Sequence, residues 1–306
     1  LILVAVEFFL PLRSLGSAFH VAMNGASAGR KIIALLNVPD PVWGENEVSD
    51  TQLKLNGVTF SYDGKRDVLK DVSMTFPEKG MTAIVGESGC GKSTVVNMLI
   101  GAYRPKAGEV TVGRKPLESV TRESYYSHIA SVSYNTYIFN DSVRANFELA
   151  KKNVSDEEIW NALEKVNLAG FIQENGGPDK VITEDANNVS GGQKQRLALA
   201  VNLVADKDIY VFDEATSNID IESEAIIMRN IKAMSAQKAV IVISHRLANV
   251  VPADNIYYME EGEVKESGSH AQLMSAQGGY AKLFNAQKRL EEGYKEITGV
   301  AAEVSV

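Results

Sequence analysis

The chain contains the segment Gly86-Glu87-Ser88-Gly89-Cys90-Gly91-Lys92-Ser93-Thr94. The apolar run before it, Met81 to Val85, predicts a buried parallel strand. The run after it, Val95 to Ile100, predicts a helix that ends at Gly101. The segment therefore joins a strand to the N-terminus of a helix, which is the context that the phosphate-binding pattern G-x-x-x-x-G-K-[ST] requires.

The residue types of this segment suit it to binding a nucleoside triphosphate. Glycines let backbone N–H groups crowd around an anion, and the helix dipole adds partial positive charge at the same place. We expect Lys92 to reach the β- and γ-phosphates and Ser93 to offer its hydroxyl to Mg²⁺. A glycine-rich turn that happens to precede a lysine is the alternative interpretation. The nucleotide-binding residues predicted here are Gly86, Glu87, Ser88, Gly89, Cys90, Gly91, Lys92, Ser93 and Thr94.

Composition and charge argue against several classes of protein. A chain of 306 residues can form one large α/β domain or two small ones. Its net charge of −8 argues against a nucleic-acid-binding surface, which usually has a basic face, so we expect no nucleic acid partner. The single cysteine, Cys90, excludes an intramolecular disulfide framework and fits a reducing compartment.

The amino-terminal part of the chain predicts a long helix. Apolar and small residues recur at three- and four-residue spacing between Pro11 and Leu36. The apolar run from Leu1 to Leu10 lacks the features of a signal peptide, and it is shorter than the roughly 20 residues that span a bilayer. It fits either a buried helix of a soluble protein or a sequence that begins partway along a membrane helix.

The remaining pattern predicts an α/β fold. Proline and acidic residues predict a linker at 39–50. Strands with alternating apolar residues follow, and they predict an antiparallel β apron, that is, a layer beside a mainly parallel core sheet. Helical spacing dominates about 141–205 and predicts a helical subdomain. The predicted divisions are a long N-terminal helix at 1–38, the linker at 39–50, the α/β domain at 51–290 and a polar tail at 291–306.

Two carboxylates end the hydrophobic strand predicted at Ile209 to Phe212. Functional residues of open parallel sheets gather at the carboxyl ends of strands, so this strand can bring both acids beside the phosphate loop. We expect Asp213 to hold Mg²⁺, which prefers oxygen ligands, and Glu214 to polarise an attacking water. Acids in this position can also be helix caps.

A second anion-binding site is predicted at Ser190-Gly191-Gly192-Gln193, where a serine and two glycines open a helix. A hydroxyl and free N–H groups at a helix N-terminus can bind an anion. An ordinary N-cap is the alternative.

Together these motifs resemble those of the ATP-binding cassette (ABC) ATPases. The phosphate loop, Ser190 to Gln193 and Asp213-Glu214 occur in the family's order and approximate spacing. So do Ser217-Asn218-Ile219-Asp220 and Ser244-His245-Arg246, and the similar region extends from about Leu53 to Leu290. The resemblance implies a head-to-tail dimer in which each ATP contacts the phosphate loop of one subunit and the Ser-Gly-Gly-Gln segment of the other.

The resemblance also implies roles for single residues. Tyr62 would stack on adenine, and Asp220 would serve the subunit interface. His245 would contact the γ-phosphate and position water, with Glu214 as the catalytic carboxylate. One position departs from the family, because Tyr134 stands where a glutamine that contacts Mg²⁺ or water is usual. Two interpretations are open here: Asn135 substitutes for the glutamine, or the site is partly degenerate.

The amino end extends the resemblance to ABC exporters, in which the last transmembrane helix runs directly into the ATPase domain. By this resemblance, 1–38 is the end of that helix with its cytoplasmic extension, and Glu184 lies in the segment that meets the membrane domain. Val4 to His20 resembles the exporters tied to cytochrome bd assembly. A second half-transporter subunit, identical or not, and an inner (plasma) membrane location with the ATPase domain on the cytoplasmic side are implied. A weakly hydrolysing regulatory half-transporter and a soluble, non-transport ABC ATPase are the alternatives.

Overall fold

A computed structural model describes residues 2–37, 42–133, 137–183, 189–217 and 219–298. Tyr134, Asn135, Glu184 and Asn218 lie outside the described residues, as do Pro39 and Pro41 of the predicted linker. The chain divides into two compact units, residues 1–42 and residues 43–306.

The first unit is one long helix, α1, from Ile2 to Leu36. The predicted helix is therefore present, and Pro11 lies inside it. Within the described residues, no helix combines the length and the apolar character needed to cross a membrane.

The second unit contains two sheets and confirms the predicted α/β class. A four-stranded antiparallel sheet, with the order β2-β1-β4-β5, is the predicted apron. A six-stranded sheet has the order β10-β9-β3-β8-β7-β6, and all of its pairs are parallel except the terminal β9–β10 hairpin. The strands are β1 (Leu53–Phe60), β2 (Leu69–Phe76), β3 (Gly80–Gly86), β4 (Ala107–Val112), β5 (Lys115–Pro116), β6 (Ile129–Ser133), β7 (Ile209–Asp213), β8 (Ala239–Ile243), β9 (Asn255–Glu260) and β10 (Glu263–Gly268).

Helices pack on both faces of the second sheet or connect its strands. Four of them fall in the segment for which helical spacing predicts a helical subdomain, and the last two follow the β9–β10 hairpin. The helices of this unit are α2 (Lys92–Leu99), α3 (Arg122–His128), α4 (Val143–Ala150), α5 (Asp156–Lys165), α6 (Ala169–Glu174), α7 (Gly191–Val204), α8 (Ile221–Met234), α9 (His270–Ala276) and α10 (Gly279–Thr298).

The central strands β3, β7 and β8 are almost entirely buried because both of their faces are covered. Successive side chains alternate between two cores: Tyr210 and Phe212 join the core that includes residues of α4 to α8, whereas Ile209 and Val211 join the core shared with the antiparallel sheet and α2. This alternation places β7 between two buried layers. Only its last residue, Asp213, is partly exposed.

Strand register determines where the functional residues meet. In the parallel ladder, Asp213 of β7 is level with Ile243 of β8, and Ile243 is level with Ile84 of β3. The three strands therefore end together, so that the phosphate loop after β3, Glu214 after β7 and His245 after β8 emerge at one edge of the sheet. This is the edge at which ligands bind in open α/β sheets.

Candidate functional site

The loop between β3 and α2 adopts a backbone that requires glycine at two positions. Gly86 and Gly91 have φ angles of 150° and 108°. A Cβ atom on Gly86 would lie 2.2 Å from the carbonyl oxygen of Met259, and one on Gly91 would lie 2.8 Å from Cδ2 of Leu69. The sequence therefore folds here into a tight loop that packs on β9 and β2 and opens directly into a helix.

Lys92 is held within this loop. Its side chain is buried, and Nζ donates hydrogen bonds to the carbonyl oxygens of Gly86 at 2.8 Å and Glu87 at 2.9 Å. Sγ of the buried Cys90 lies 3.8 Å from the same nitrogen. Glu87, Ser88 and Gly89 are exposed at the rim of the loop. A positive charge is thus fixed at the N-terminus of α2, where the helix dipole adds to it.

Asp213 lies at the end of β7, near Ser93 at the start of α2. Its Oδ1 atom is buried and has no hydrogen-bond partner among the described residues. Burial raises the pKa of Asp213, and the neighbouring Glu214 carboxylate raises it further, while Ser93 and the charge of Lys92 act in the opposite direction. A buried carboxylate oxygen without a partner is costly unless a cation or a proton neutralises it.

These donors fit Mg²⁺. A hydroxyl oxygen and a carboxylate oxygen with unused acceptor capacity are the hard ligands that this ion prefers. Ser93 and Asp213 would hold the ion, and there it would neutralise negative charge on a bound polyphosphate.

Replacement of Asp213 by asparagine is expected to raise the thermal unfolding temperature of the nucleotide-free protein at neutral pH. The physical reason is the raised pKa: the ionised form is disfavoured in the fold, so it destabilises the protein above that pKa, and the penalty disappears as the pH falls through it. The gain from Asp213→Asn should therefore shrink at acidic pH.

The same variant should lose the Mg²⁺-dependent part of its stabilisation by ATP. Thermal unfolding across pH, with and without Mg·ATP, measures both effects, and a variant less stable than wild type at neutral pH would contradict the account.

Glu214 and His245 are in direct contact. His245 Nε2 lies 2.6 Å from Glu214 Oε1, and both side chains are partly exposed, at 50% and 28% respectively. Glu214 has a φ of 54°, which is unusual for a residue other than glycine, and its N–H donates to the carbonyl oxygen of Ile243 at 3.0 Å. The turn after β7 is therefore bonded to the end of β8, and this holds the carboxylate beside the imidazole. Such a pair can accept a proton from a water molecule and orient the accepting oxygen.

Tyr62 lies beside the start of α2. Its hydroxyl is 3.0 Å from Oγ1 of the buried Thr94, and its ring packs edge-to-face against Phe60 and Tyr103. Tyr62 is still 54% exposed. An exposed aromatic ring fixed in this way next to a phosphate loop is suited to stacking on a base.

Ser190 and Gln193 form a capping box at the N-terminus of α7. Ser190 Oγ accepts from the Gln193 N–H at 3.2 Å, and Gln193 Oε1 accepts from the Ser190 N–H at 2.8 Å. Ser190 and Gly191 are exposed, and Gly192 follows them in the first turn. Within the described part of the chain, no hydrogen bond or ion pair joins Ser190 or Gln193 to the phosphate loop. The ordinary N-cap is thus present, and it does not exclude the predicted anion site.

Asp220 is likewise an N-cap, since its carboxylate accepts from the Ser223 N–H at 2.8 Å at the start of α8. This backbone hydrogen bond lowers its pKa. Asp220 is exposed, and it lies in the connection between β7 and α8.

Glu224 was not singled out in the sequence, yet it links two segments of the site. Its buried carboxylate accepts from Thr216 Oγ1 at 2.7 Å and from Asn249 Nδ2 at 2.9 Å, and it forms a close ion pair with Arg246. Thr216 lies just after Glu214, and Arg246 follows His245. One carboxylate on α8 therefore ties the segment after β7 to the segment after β8. Nothing local in the sequence of an amphipathic helix marks such a residue.

Comparison with known proteins places this geometry in a family. Residues 69–217 match the family model described as ABC transporter. An uncharacterized ABC transporter ATP-binding protein of Haemophilus influenzae is 42% identical over 295 residues, which are 95% of this chain and 53% of that protein. An ATP-dependent lipid A-core flippase of Sodalis glossinidius is 36% identical over 92% of this chain and 50% of its own length.

A solved structure supports the same assignment. A bacterial Atm1-family ABC exporter with ATP bound superposes with a TM-score of 0.79 at 29% identity, over 92% of this chain and 51% of that chain. The chain thus spans about half the length of the curated relatives it matches. The chain belongs to the ABC transporter family.

Proposed function

We propose that this chain is the ATP-binding and ATP-hydrolysing part of an ABC exporter subunit. The observation that carries the proposal is the 2.6 Å contact between Glu214 and His245, at the same sheet edge as Asp213 and the phosphate loop. A phosphate loop alone would support nucleotide binding. A carboxylate paired with an imidazole beside it supports hydrolysis as well.

In the proposed reaction, the backbone N–H groups of the loop and the Lys92 ammonium bind the phosphates of ATP. Ser93 and Asp213 hold Mg²⁺, while Tyr62 stacks on adenine. These contacts place the γ-phosphoryl group and neutralise its charge, which supplies most of the catalysis of phosphoryl transfer.

Glu214 accepts the proton of the attacking water. His245 contacts the γ-phosphate and fixes the orientation of the Glu214 carboxylate through the hydrogen bond between them. The bond between the γ-phosphorus and the bridging oxygen breaks, and the products are ADP and inorganic phosphate.

We further propose that the site is completed by a second half-transporter subunit, identical to this chain or not. The exposed Ser190 to Gln193 segment would cover ATP bound to the partner's phosphate loop, and Asp220 would lie at the same interface. The exposure of Ser190 and Gly191 at the N-terminus of α7 supports this arrangement. The names of the relatives, which include exporters and a flippase, support transport across a membrane.

By the same analogy, α1 would be the cytoplasmic end of the last membrane helix. The ATPase domain would then lie on the cytoplasmic side of the inner (plasma) membrane. ATP binding would close the dimer, and hydrolysis would reopen it and reset the membrane domain.

The full-length protein, purified in lipid alone and together with candidate partner subunits, is expected to hydrolyse ATP in the presence of Mg²⁺. Ser190→Asp tests the composite site, because aspartate is an equally good N-cap but places a negative charge against the phosphates. This variant should fold normally, bind ATP at its own loop and lose turnover. Steady-state phosphate release measures the loss. Unchanged turnover in the variant would contradict the composite site, and no turnover in any wild-type preparation would contradict ATP hydrolysis itself.

A further inference from the structure

The side-chain amide of Gln287 in α10 binds the backbone on both sides of Arg246. Its Nε2 donates to the carbonyl oxygen of His245 at 2.8 Å, and its Oε1 accepts from the N–H of Leu247 at 2.8 Å. Both hydrogen-bonding groups of one amide are therefore used on the segment that carries His245. None of the sequence motifs includes Gln287.

The His245 side chain depends on its backbone for its position. It is half exposed, and its imidazole contacts the Glu214 carboxylate. The residue lies outside regular structure, between β8 and the buried Leu247. A displacement of the peptide bonded to Gln287 would move the imidazole relative to Glu214. Displacements of about 1 Å can change the rate of an enzyme by as much as a hundredfold.

Helix α10, which carries Gln287, is anchored at its N-terminal end. Tyr280 and Ala281, in its first turn, are fully buried, and the Tyr280 hydroxyl lies 2.7 Å from Nδ1 of His270. Glu266 of β10 caps the start of the helix through the N–H groups of Gly279 and Tyr280. The first turn of α10 is thus anchored to β10 and α9, and the helix carries the Gln287 amide from this anchored turn to the segment around His245.

The other side of the same segment is held by Glu224. Its ion pair restrains the side chain of Arg246, and Arg246 lies between His245 and Leu247, the two residues whose backbone Gln287 binds. Glu224 also accepts a hydrogen bond from Thr216, so it joins Arg246 to the connection between β7 and α8. Gln287 instead links the segment to the C-terminal helix alone.

We propose that Gln287 is a positioning residue for His245, through which the C-terminal helix α10 sets the contact between His245 and Glu214. The proposal rests on the proposed function, because it assigns a rate effect to that contact. It makes the hydrolytic site depend on an element outside all of the nucleotide-binding motifs.

Two variants of Gln287 in the full-length protein test this role. Gln287→Met keeps the length of the side chain and removes both hydrogen bonds. Gln287→Glu keeps the acceptor for the Leu247 N–H, but while ionised it places a negative charge against the His245 carbonyl oxygen. When protonated, a carboxyl group can donate and accept as the amide does. Lys282→Met, at an exposed position of the same helix, is the matched control.

Gln287→Met is expected to lower kcat about tenfold with little change in KM for ATP, since a positioning effect acts on the reacting groups. Deuterium exchange of the peptide that contains Leu247 should become faster, because its N–H loses an acceptor. For Gln287→Glu, the ratio of its kcat to that of wild type should rise as the pH is lowered toward the carboxyl pKa, about 4.3 in model peptides. The thermal unfolding temperature of each variant shows whether it is folded.

This proposal would be overturned if wild type is active and a folded Gln287→Met has an unchanged kcat or an unchanged exchange rate at Leu247. The proposed function would remain intact in that case. An equal loss of kcat in Lys282→Met would also overturn it, because the effect would then belong to the helix rather than to the amide. A wild type that binds ATP without hydrolysing it would instead overturn the proposed hydrolysis and, with it, the rate effect assigned to Gln287.

Discussion

Replacement of Glu214 by glutamine is expected to lower the ATP turnover of the full-length protein by about a hundredfold or more, the range that a lost general base costs. The amide has nearly the shape of the carboxylate but cannot accept a proton from water. It can still accept a hydrogen bond from His245 Nε2, so the turn after β7 should keep its conformation. Binding of ATP should survive, because Lys92 and the backbone of the phosphate loop are unchanged.

Steady-state phosphate release and equilibrium ATP binding together measure this separation of binding from hydrolysis. Glu164→Gln, at an exposed position of α5, is the matched control and should behave as wild type. If Glu214→Gln also lost ATP binding, the residue would have a structural role instead. If it retained full turnover, the base would be another group.

Replacement of Arg246 by methionine is expected to destabilise the α/β unit strongly. Glu224 is 4% exposed, and without Arg246 its carboxylate would keep its hydrogen bonds to Thr216 and Asn249 but lose its countercharge. Breaking a fully buried ion pair costs about 3–5 kcal/mol, and we expect about 2 kcal/mol here because Arg246 is partly exposed. The free energy of unfolding in denaturant measures the loss.

A double-mutant cycle separates the charge from the packing. Glu224→Gln removes the negative charge and keeps an oxygen that can accept from Thr216. In the presence of Glu224→Gln, the change Arg246→Met should therefore cost much less than in wild type, since it no longer leaves a buried charge unpaired. Additive effects of the two changes would show that the ion pair contributes little. Both variants should also slow ATP hydrolysis, because this network joins the segments that carry Glu214 and His245.

The local parts of the site could be predicted from the sequence. The phosphate loop is specified by short-range requirements, namely glycines that tolerate positive φ angles and the strand and helix on either side. Asp213 and Glu214, at the end of β7, follow from the rule that parallel strands present functional residues at their carboxyl ends. The antiparallel apron and the long first helix follow from periodicity, and the structure confirms each of these elements.

The contact between Glu214 and His245 could not be derived from local pattern. It depends on strand order, which places β7 and β8 side by side, and on the register that aligns Asp213 with Ile243. Family resemblance implied both residues, but only the parallel ladder explains why they meet. Ser190 is a different case. The sequence predicted an anion-binding helix end there, and the structure of the single chain shows the Ser190–Gln193 capping box, while the anion site stays a prediction.

Glu224 and Gln287 could not be found from the sequence. Each is a polar residue on an amphipathic helix, and each acts on a segment distant in the chain, 42 residues away for Gln287 and His245. Helical periodicity predicts which face of a helix is buried, but it does not predict which distant backbone groups a polar side chain on that face will bind.

The fate of bound nucleotide in a single turnover tests the central claim most directly. The full-length protein in lipid, with any partner subunit it requires, is loaded with labelled ATP and then given Mg²⁺, and the conversion of bound ATP to ADP is followed. Wild type is expected to convert its bound ATP, whereas Glu214→Gln, equally loaded, is expected to retain it as ATP. Equal conversion by the two proteins, or no conversion by wild type, would contradict hydrolysis at the contact between Glu214 and His245.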